Sequence, residues 1–264
     1  MSILTSIKKI TVGCWNINSL RIRQELLDTW MHTEKVDVIL LQETKVQDQD
    51  FPRSFFDTRG YNVTFWGQKS YNGVAIASRY PITDMQTLEC NGSHGQARYI
   101  QCMTAGLRVA SIYVPNGKAL DNAAYQDKLD FLDHVRCHAH KYIIDSVPTL
   151  LGADWNIAPS NADVWDIEKW TGRLLCSLPE RQKWHGFLND GWCDVVSPRI
   201  VGKNDPTWWD YRNQPCDLKK GLRIDAFLVS PWAMDRVYAY RSLCQWRLKD
   251  GPSDHAPIQM TITP

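Results

Sequence analysis

Apolar residues along the chain gather into short runs divided by polar punctuation, and the spacing within each run predicts an element. Ile10–Trp15 (ITVGCW) predicts a strand ending at Asn16, after which Ile22, Leu26, Leu27 and Trp30 recur at helical spacing. Val36–Leu41 (VDVILL) predicts a second strand, almost continuously apolar and so covered on both faces, whose exit carries Gln42 and Glu43. Asn62–Trp66 and Gly73–Ser78 read as paired strands joined through KSYN, with Pro81 ending the second. Arg98–Met103 and Leu107–Val114 form another pair, turning at Ala105-Gly106. Tyr125, Leu129, Leu132 and Val135 trace the stripe of a long helix that stops before Pro148, and Val147–Gly152 then leads to Asp154. Ala158–Trp170 has no period, Leu178–Asn189 reads as a helix, Leu222–Val229 as a strand containing Asp225, and Ile258–Ile262 as the closing strand. Strands and meanders interspersed with helices predict an α/β fold with mixed sheets. No repeat and no Gly/Ser-rich linker divides the chain, so residues 1–264 read as one domain.

Composition narrows this picture without redirecting it. Apolar residues make up 44% and charged residues 22%, an ordinary globular balance that excludes disorder and membrane insertion. With 30 basic against 29 acidic residues, any nucleic-acid footprint must be local rather than global. MSILTSIKKI lacks the apolar core of a secretory signal and no run reaches membrane-spanning length, so the expectation is a cytoplasmic protein with no membrane partner. The eight cysteines show no CxxC pair and read as reduced, mostly buried thiols.

The chemistry is concentrated at strand ends. Asn16/Asn18, Glu43, Asp154/Asn156, Asp225 and Asp254/His255 each adjoin a β-forming run. A charged group beside a buried strand is costly to desolvate unless it meets a partner, a metal or a substrate, so these stations point to one convergent site. Glu43 is a hard oxygen donor at a strand exit, suited to Mg²⁺ or Mn²⁺; capping a turn is its bland alternative. Asp154-Trp155-Asn156 either presents two polar groups on one side of an extended segment or forms an Asx turn before Ala158-Pro159. His255 needs an orienting acid, for which Asp225 is the candidate; the other six histidines carry no such neighbours. Trp208-Trp209-Asp210-Tyr211-Arg212 suits stacking and phosphate contact, although alternation must turn one tryptophan inward.

WNIN (15–18), QETK (42–45), NGVAI (72–76), YVPNG (113–117), DWNIAP (154–159), TWWDYR (207–212), LRID (222–225) and SDHAP (253–257) together resemble the exodeoxyribonuclease III branch of the xth-type abasic-site endonucleases, within the endonuclease/exonuclease/phosphatase superfamily. The resemblance implies a four-layer α/β sandwich, two mixed sheets packed face to face and flanked by helices as in DNase I-like proteins. It implies a Mg²⁺-dependent (or Mn²⁺-dependent) phosphodiesterase of DNA repair that cleaves 5′ to abasic sites, with 3′-5′ exonuclease or 3′-phosphatase activity. Its partner would be double-stranded DNA with abasic sites or 3′-blocked ends, and its setting the bacterial cytoplasm, as a monomer.

By the same resemblance Glu43 is the principal metal ligand, with Asn16, Asp154, Asn156 and Asp254 beside it. Asp154 activates or orients the attacking water, Asn156 and Tyr113 contact the scissile phosphate, and His255 paired with Asp225 stabilises its charge; which group is the general base stays open. Trp208 and Leu222 match an abasic-sugar pocket, and Asn18, Lys45, Tyr71, Asn72, Lys118 and Arg212 match backbone contacts. Ser19 and Ala153 stand where the family usually has glycine. Two alternatives remain: a relative acting on a non-DNA phosphate ester, against which TWWDYR and LRID argue, and a catalytically dead binding protein, against which Glu43, Asp154 and His255 argue.

Overall fold

The computed structural model describes residues 9–89, 95–196, 205–211 and 216–264. Their order is β1 (Ile10–Asn16), α1 (Gln24–Glu34), β2 (Val38–Gln42), α2 (Arg53–Asp57), β3 (Asn62–Trp66), β4 (Val74–Ser78), β5 (Ile82–Thr87), β6 (Tyr99–Thr104), β7 (Leu107–Tyr113), α3 (Ala123–His140), β8 (Thr149–Asp154), α4 (Ile167–Trp170), α5 (Leu178–Asp190), β9 (Cys193–Asp194), β10 (Asp225–Val229), α6 (Pro231–Met234), β11 (Val237–Ser242) and β12 (Ile258–Ile262). The strands form two six-stranded sheets, ordered β11-β12-β1-β2-β4-β3 and β5-β6-β7-β8-β10-β9. Each sheet is antiparallel except for one central parallel pair, β1 with β2 and β7 with β8.

Alternation along the central strands builds the layers. Val12, Cys14, Val38 and Leu40 face Ile100, Val109, Leu150 and Phe227 across the space between the sheets. Trp15, Ile39 and Leu41 turn the other way, onto Leu27, Trp30 and Met31 of α1. On the second sheet Ile112, Leu151 and Ala153 meet Phe131 and Leu132 of α3 and Trp184 and Phe187 of α5. The outcome is a four-layer sandwich, and it explains why VDVILL is apolar without interruption: both faces of β2 are covered. Gly13 permits the docking of α1, since a Cβ there would lie 2.4 Å from Trp30 Cη2.

Several elements differ from the sequence reading. β5, β9 and β11 were not expected; all three are outer strands, and five of the six β5 residues are exposed, so no buried alternation marks it. The strand predicted from Leu222 begins only at Asp225, because Leu222 makes isolated bridges to Val164 and Trp208 instead. The aperiodic stretch after Ala158 contains the short helix α4. The described cysteines are free thiols, three buried, three partly buried and Cys137 exposed. No described helix is long and apolar enough to cross a membrane.

Topology then brings the polar stations together. The carboxyl ends of β1, β2, β7 and β8 and the amino ends of β10 and β12 share one edge, with Asp154 paired to Tyr113 on one side and Asp225 on the other. Ligands in layered α/β folds gather at such strand ends.

Candidate active site

The backbone leaving these strands is bent sharply. Asn18 (φ 47), Glu43 (φ 49), Lys45 (φ 54), Asn72 (φ 54), Lys118 (φ 59) and Asn156 (φ 51) are all left-handed without being glycine. Such residues persist only where surroundings hold them, and they cluster at functional sites. Ser19, at φ 93, occupies a conformation glycine adopts freely, whereas Ala153 lies inside β8 and needs no glycine.

At this edge the Asn16 amide bridges the two sheets. Asn16 Nδ2 donates to Glu43 Oε1 and to Asp154 Oδ2, each at 2.9 Å, while Asn16 Oδ1 accepts the Asn18 N–H at 3.0 Å. Lys45 Nζ pairs with Glu43 Oε2 at 2.9 Å and also donates to Asn18 Oδ1. Burial would raise the Glu43 carboxyl, but the Asn16 hydrogen bond and the Lys45 charge hold it below its ordinary range. Asp254 is tied from two directions: Asn18 Nδ2 donates to Oδ1 at 2.9 Å and Trp208 Nε1 to Oδ2 at 3.1 Å.

The DWN segment forms the Asx turn rather than continuing extended: Asn156 N donates to Asp154 Oδ1 at 3.0 Å. The turn serves the site, because it brings Asn156 Nδ2 to 3.3 Å from Asp154 Oδ2 and 2.9 Å from Val114 O. Across β10, His255 Nδ1 lies 2.8 Å from Asp225 Oδ2, and Nε2 lies 3.6 Å from Asp154 Oδ2. Burial alone would lower the imidazole, but the charges of Asp225 and Asp154 outweigh it and raise it to about 10. Burial, with the Asp225 charge adding, pushes Asp154 up to about 7 against the pull of His255 and Asn16. Tyr113 borders the same cluster, its hydroxyl pushed well up by burial and by Glu43.

Three contributors escaped the sequence reading. Arg98 lies over the Tyr113 ring, its guanidinium carbon 4.7 Å from the ring centre, and adds a largely buried cation near Glu43 and Asp154. Nothing around Arg98 in the sequence marks it. Asn116, within the YVPNG turn, donates to Asn156 Oδ1 at 3.1 Å. Lys128, on the buried stripe of α3, donates to Asn156 O at 2.7 Å.

Two grooves flank the cluster. One, of about 860 Å³, is lined by Asn18, Arg21, Arg23, Lys45, Lys69 and Tyr211 among others, with Arg21 paired to Asp50. The other, of about 570 Å³, includes Tyr71, Asn72, Arg98, Tyr113, Asn116 and Lys118. Tyr71 is 71% exposed, whereas Asn72 is buried. Trp208 is half-buried over the Val164–Leu175–Leu222 cluster, and Trp209 is the tryptophan turned inward. Leu222 is only 1% exposed, so it supports Trp208 from beneath and offers almost no surface of its own. Arg212 lies outside the described residues.

The donors fit a hard divalent cation. Glu43 and Asp154 converge on one amide, Asp225 Oδ1 is buried without a hydrogen-bond partner, and ligand atoms of Asp154, Asp225 and His255 lie within 4.8 Å of one another. Clustered carboxylates with few softer donors suit Mg²⁺ or Mn²⁺. Asn16 turns its nitrogen, not its oxygen, toward the carboxylates, and Asn156 Oδ1 accepts from Asn116; the oxygens of Asp254, like those of Glu43 and Asp154, already accept hydrogen bonds. Carboxylates and an imidazole gathered at one sheet edge, next to residues such as Asn18, Lys45 and Tyr113 that line the two grooves, suit the hydrolysis of a phosphate ester.

The Endonuclease/Exonuclease/phosphatase family model matches residues 13–255, and the chain belongs to that family. Within it, the chain is 32% identical to the exodeoxyribonuclease III of Haemophilus influenzae, over 92% of this chain and 96% of that protein. Among solved structures it resembles a 3′-phosphatase from Neisseria bound to product DNA hairpin, with TM-score 0.91, 32% identity and coverage of 95% and 98% of the two chains. It also resembles an AP endonuclease from Archaeoglobus fulgidus, with TM-score 0.89, 30% identity and coverage of 97% and 100%.

Proposed function

We propose that the protein is a divalent-metal-dependent phosphodiesterase of DNA repair that incises duplex DNA 5′ to abasic sites and leaves a 3′-hydroxyl. Trimming of 3′ ends, as a 3′-5′ exonuclease or 3′-phosphatase, accompanies this activity. The observation that carries the reading is the buried acid–imidazole cluster of Asp154, Asp225 and His255 at a sheet edge whose neighbouring residues line two grooves, one bearing Lys45, Arg23 and Lys69 and the other Tyr71 and Lys118. A duplex backbone laid along both grooves passes its phosphate over Asp154 and His255. In this reading it acts as a monomer on nucleoid DNA in the cytoplasm.

Glu43 and Asp154 would hold the cation, Mg²⁺ with Mn²⁺ as a substitute, which supplies charge neutralisation at the phosphate. Asn16 sets the distance between those two carboxylates, and Asp254 braces Asn18 and Trp208. Asp154 orients the attacking water and accepts its proton as the water oxygen bonds to phosphorus and the bond to the 3′ oxygen breaks, that oxygen taking a proton from solvent to become the 3′-hydroxyl. His255, held by Asp225, and Tyr113 face the charge that develops on the phosphate. Trp208 borders the place of the abasic sugar, where a small pocket excludes intact nucleotides. Asn18, Lys45, Tyr71, Asn72 and Lys118 position the backbone without reading sequence.

Asn156→Ala removes an amide whose hydrogen bond to Asp154 Oδ2 would be exchanged for one to the developing charge, and it is expected to raise the barrier by about 3 kcal/mol, with kcat falling far more than KM changes. Single-turnover incision of a labelled abasic duplex measures this, and full activity would refute the role. The functional reading as a whole is tested with labelled duplexes carrying an abasic analogue, a recessed 3′ end or a 3′-phosphate, beside a small phosphomonoester. Magnesium-dependent cleavage of the DNA substrates is expected; turnover of the small ester alone would overturn it.

A further inference from the structure

Lys128 and Glu180 are both fully buried, 0% exposed, and form an ion pair beneath the Asp154–Asn156 turn. A buried pair of this kind is a poor stabiliser, since well-packed apolar residues commonly do as well or better. Its geometry suggests another use. The ammonium has three protons and three acceptors: Glu180 Oε1, Asn156 O at 2.7 Å and Asn116 O at 3.3 Å. Glu180 is fixed in turn, accepting from Leu175 N and Ser177 N at 3.0 Å each and from Ser177 Oγ at 2.6 Å, within the capping box of α5. Gly117, left-handed at φ 92, lies against the Lys128 stem.

Two residues held by Lys128 through their carbonyls, Asn116 and Asn156, are the two whose side chains meet at 3.1 Å. One of them, Asn156, is a left-handed non-glycine whose conformation needs external support. We propose that Lys128, fixed by Glu180, is a positioning residue that pins the Asn156 and Asn116 carbonyls and so holds the Asn156 amide against Asp154 Oδ2. The inference rests on the functional reading above and adds to it a support under the turn.

The test is a double-mutant cycle. Lys128→Met/Glu180→Gln removes the charge pair without stranding a buried ion, and far-UV circular dichroism with a melting curve checks folding. Its kcat on the abasic duplex is expected to fall roughly 10²-fold, the loss typical of a misaimed group, with KM little changed. In an Asn156→Ala background the same pair of substitutions is expected to cost no further activity, because the amide it holds is gone. If the Met/Gln pair melts below the assay temperature, Lys128→Gln/Glu180→Gln runs the same cycle with neutral hydrogen bonds across the gap. Equal losses in both backgrounds, or full activity of the folded pair variant, would overturn the proposal while leaving the functional reading intact. Failure of the unaltered enzyme to incise the abasic duplex would instead overturn the functional reading.

Discussion

Asp154→Asn is expected to reduce incision of an abasic duplex by about 10³-fold or more at saturating magnesium while the protein stays folded. Asp154 closes β8 and is 1% exposed, yet it meets Asn16, Asn156 and His255 at once. The exchange keeps shape and removes two things: the charge that faces His255, and an acceptor able to take the proton of the attacking water. It also sets an amide N–H₂ against the Asn16 or Asn156 donors, so the group that replaces the carboxylate is misoriented as well as neutral. Single-turnover rates at saturating substrate isolate the chemical step, and the melting temperature reports the fold. Loss of activity through unfolding would appear in the second measurement and not be mistaken for the first.

Glu43→Gln is expected to act through the cation instead. The side chain leaves β2 at a left-handed residue, held by Asn16 on one oxygen and Lys45 on the other. Glutamine keeps the length but loses the charge, and the rate at limiting magnesium should fall roughly 10²-fold or more. The magnesium dependence of the initial rate should move to higher concentration, and calorimetric Mn²⁺ binding should weaken in parallel. DNA binding in the presence of chelator should not weaken, because the proposed backbone contacts lie in the grooves. An unchanged magnesium requirement would remove Glu43 from the cation site.

Much of this site was legible because strand ends are legible. A buried strand is a run of β-branched and apolar residues, and the polar groups flanking it stand at the sheet edge; Asn16, Glu43 and Asp154 follow such runs and His255 precedes one. That they meet at one edge follows from topology, through two central parallel pairs and the antiparallel strands beside them. Periodicity alone does not supply strand order. The outer strands β5 and β11 were missed because little of their surface is buried, and Leu222 was read as strand because apolar residues that pack a loop resemble those that pack a sheet. Arg98 and Lys128 were missed for a different reason. Each acts through what it touches across the fold, Tyr113 for one and the Asn156 carbonyl for the other, and neither contact leaves a local sequence pattern.

The Asx turn at Asp154 also changes how such motifs are weighed. Turn formation and the proposed catalytic role of DWN are compatible, because the left-handed Asn156 closes the turn and keeps its amide beside Asp154. The turn supplies the hydrogen bond that fixes Asp154 Oδ1 and leaves the amide beside Oδ2.

The central claim is that a divalent cation and Asp154 together cleave the phosphodiester 5′ to an abasic site. Its most direct measurement is end-group analysis of a 5′-labelled abasic duplex after incubation with the enzyme, with magnesium or with excess chelator, and with Asp154→Asn in parallel. The account predicts a single product ending in a 3′-hydroxyl, formed with magnesium by the unaltered enzyme and absent in the other arms. Equal cleavage in chelator, or a product ending in an unsaturated aldehyde from elimination on the 3′ side, would contradict it.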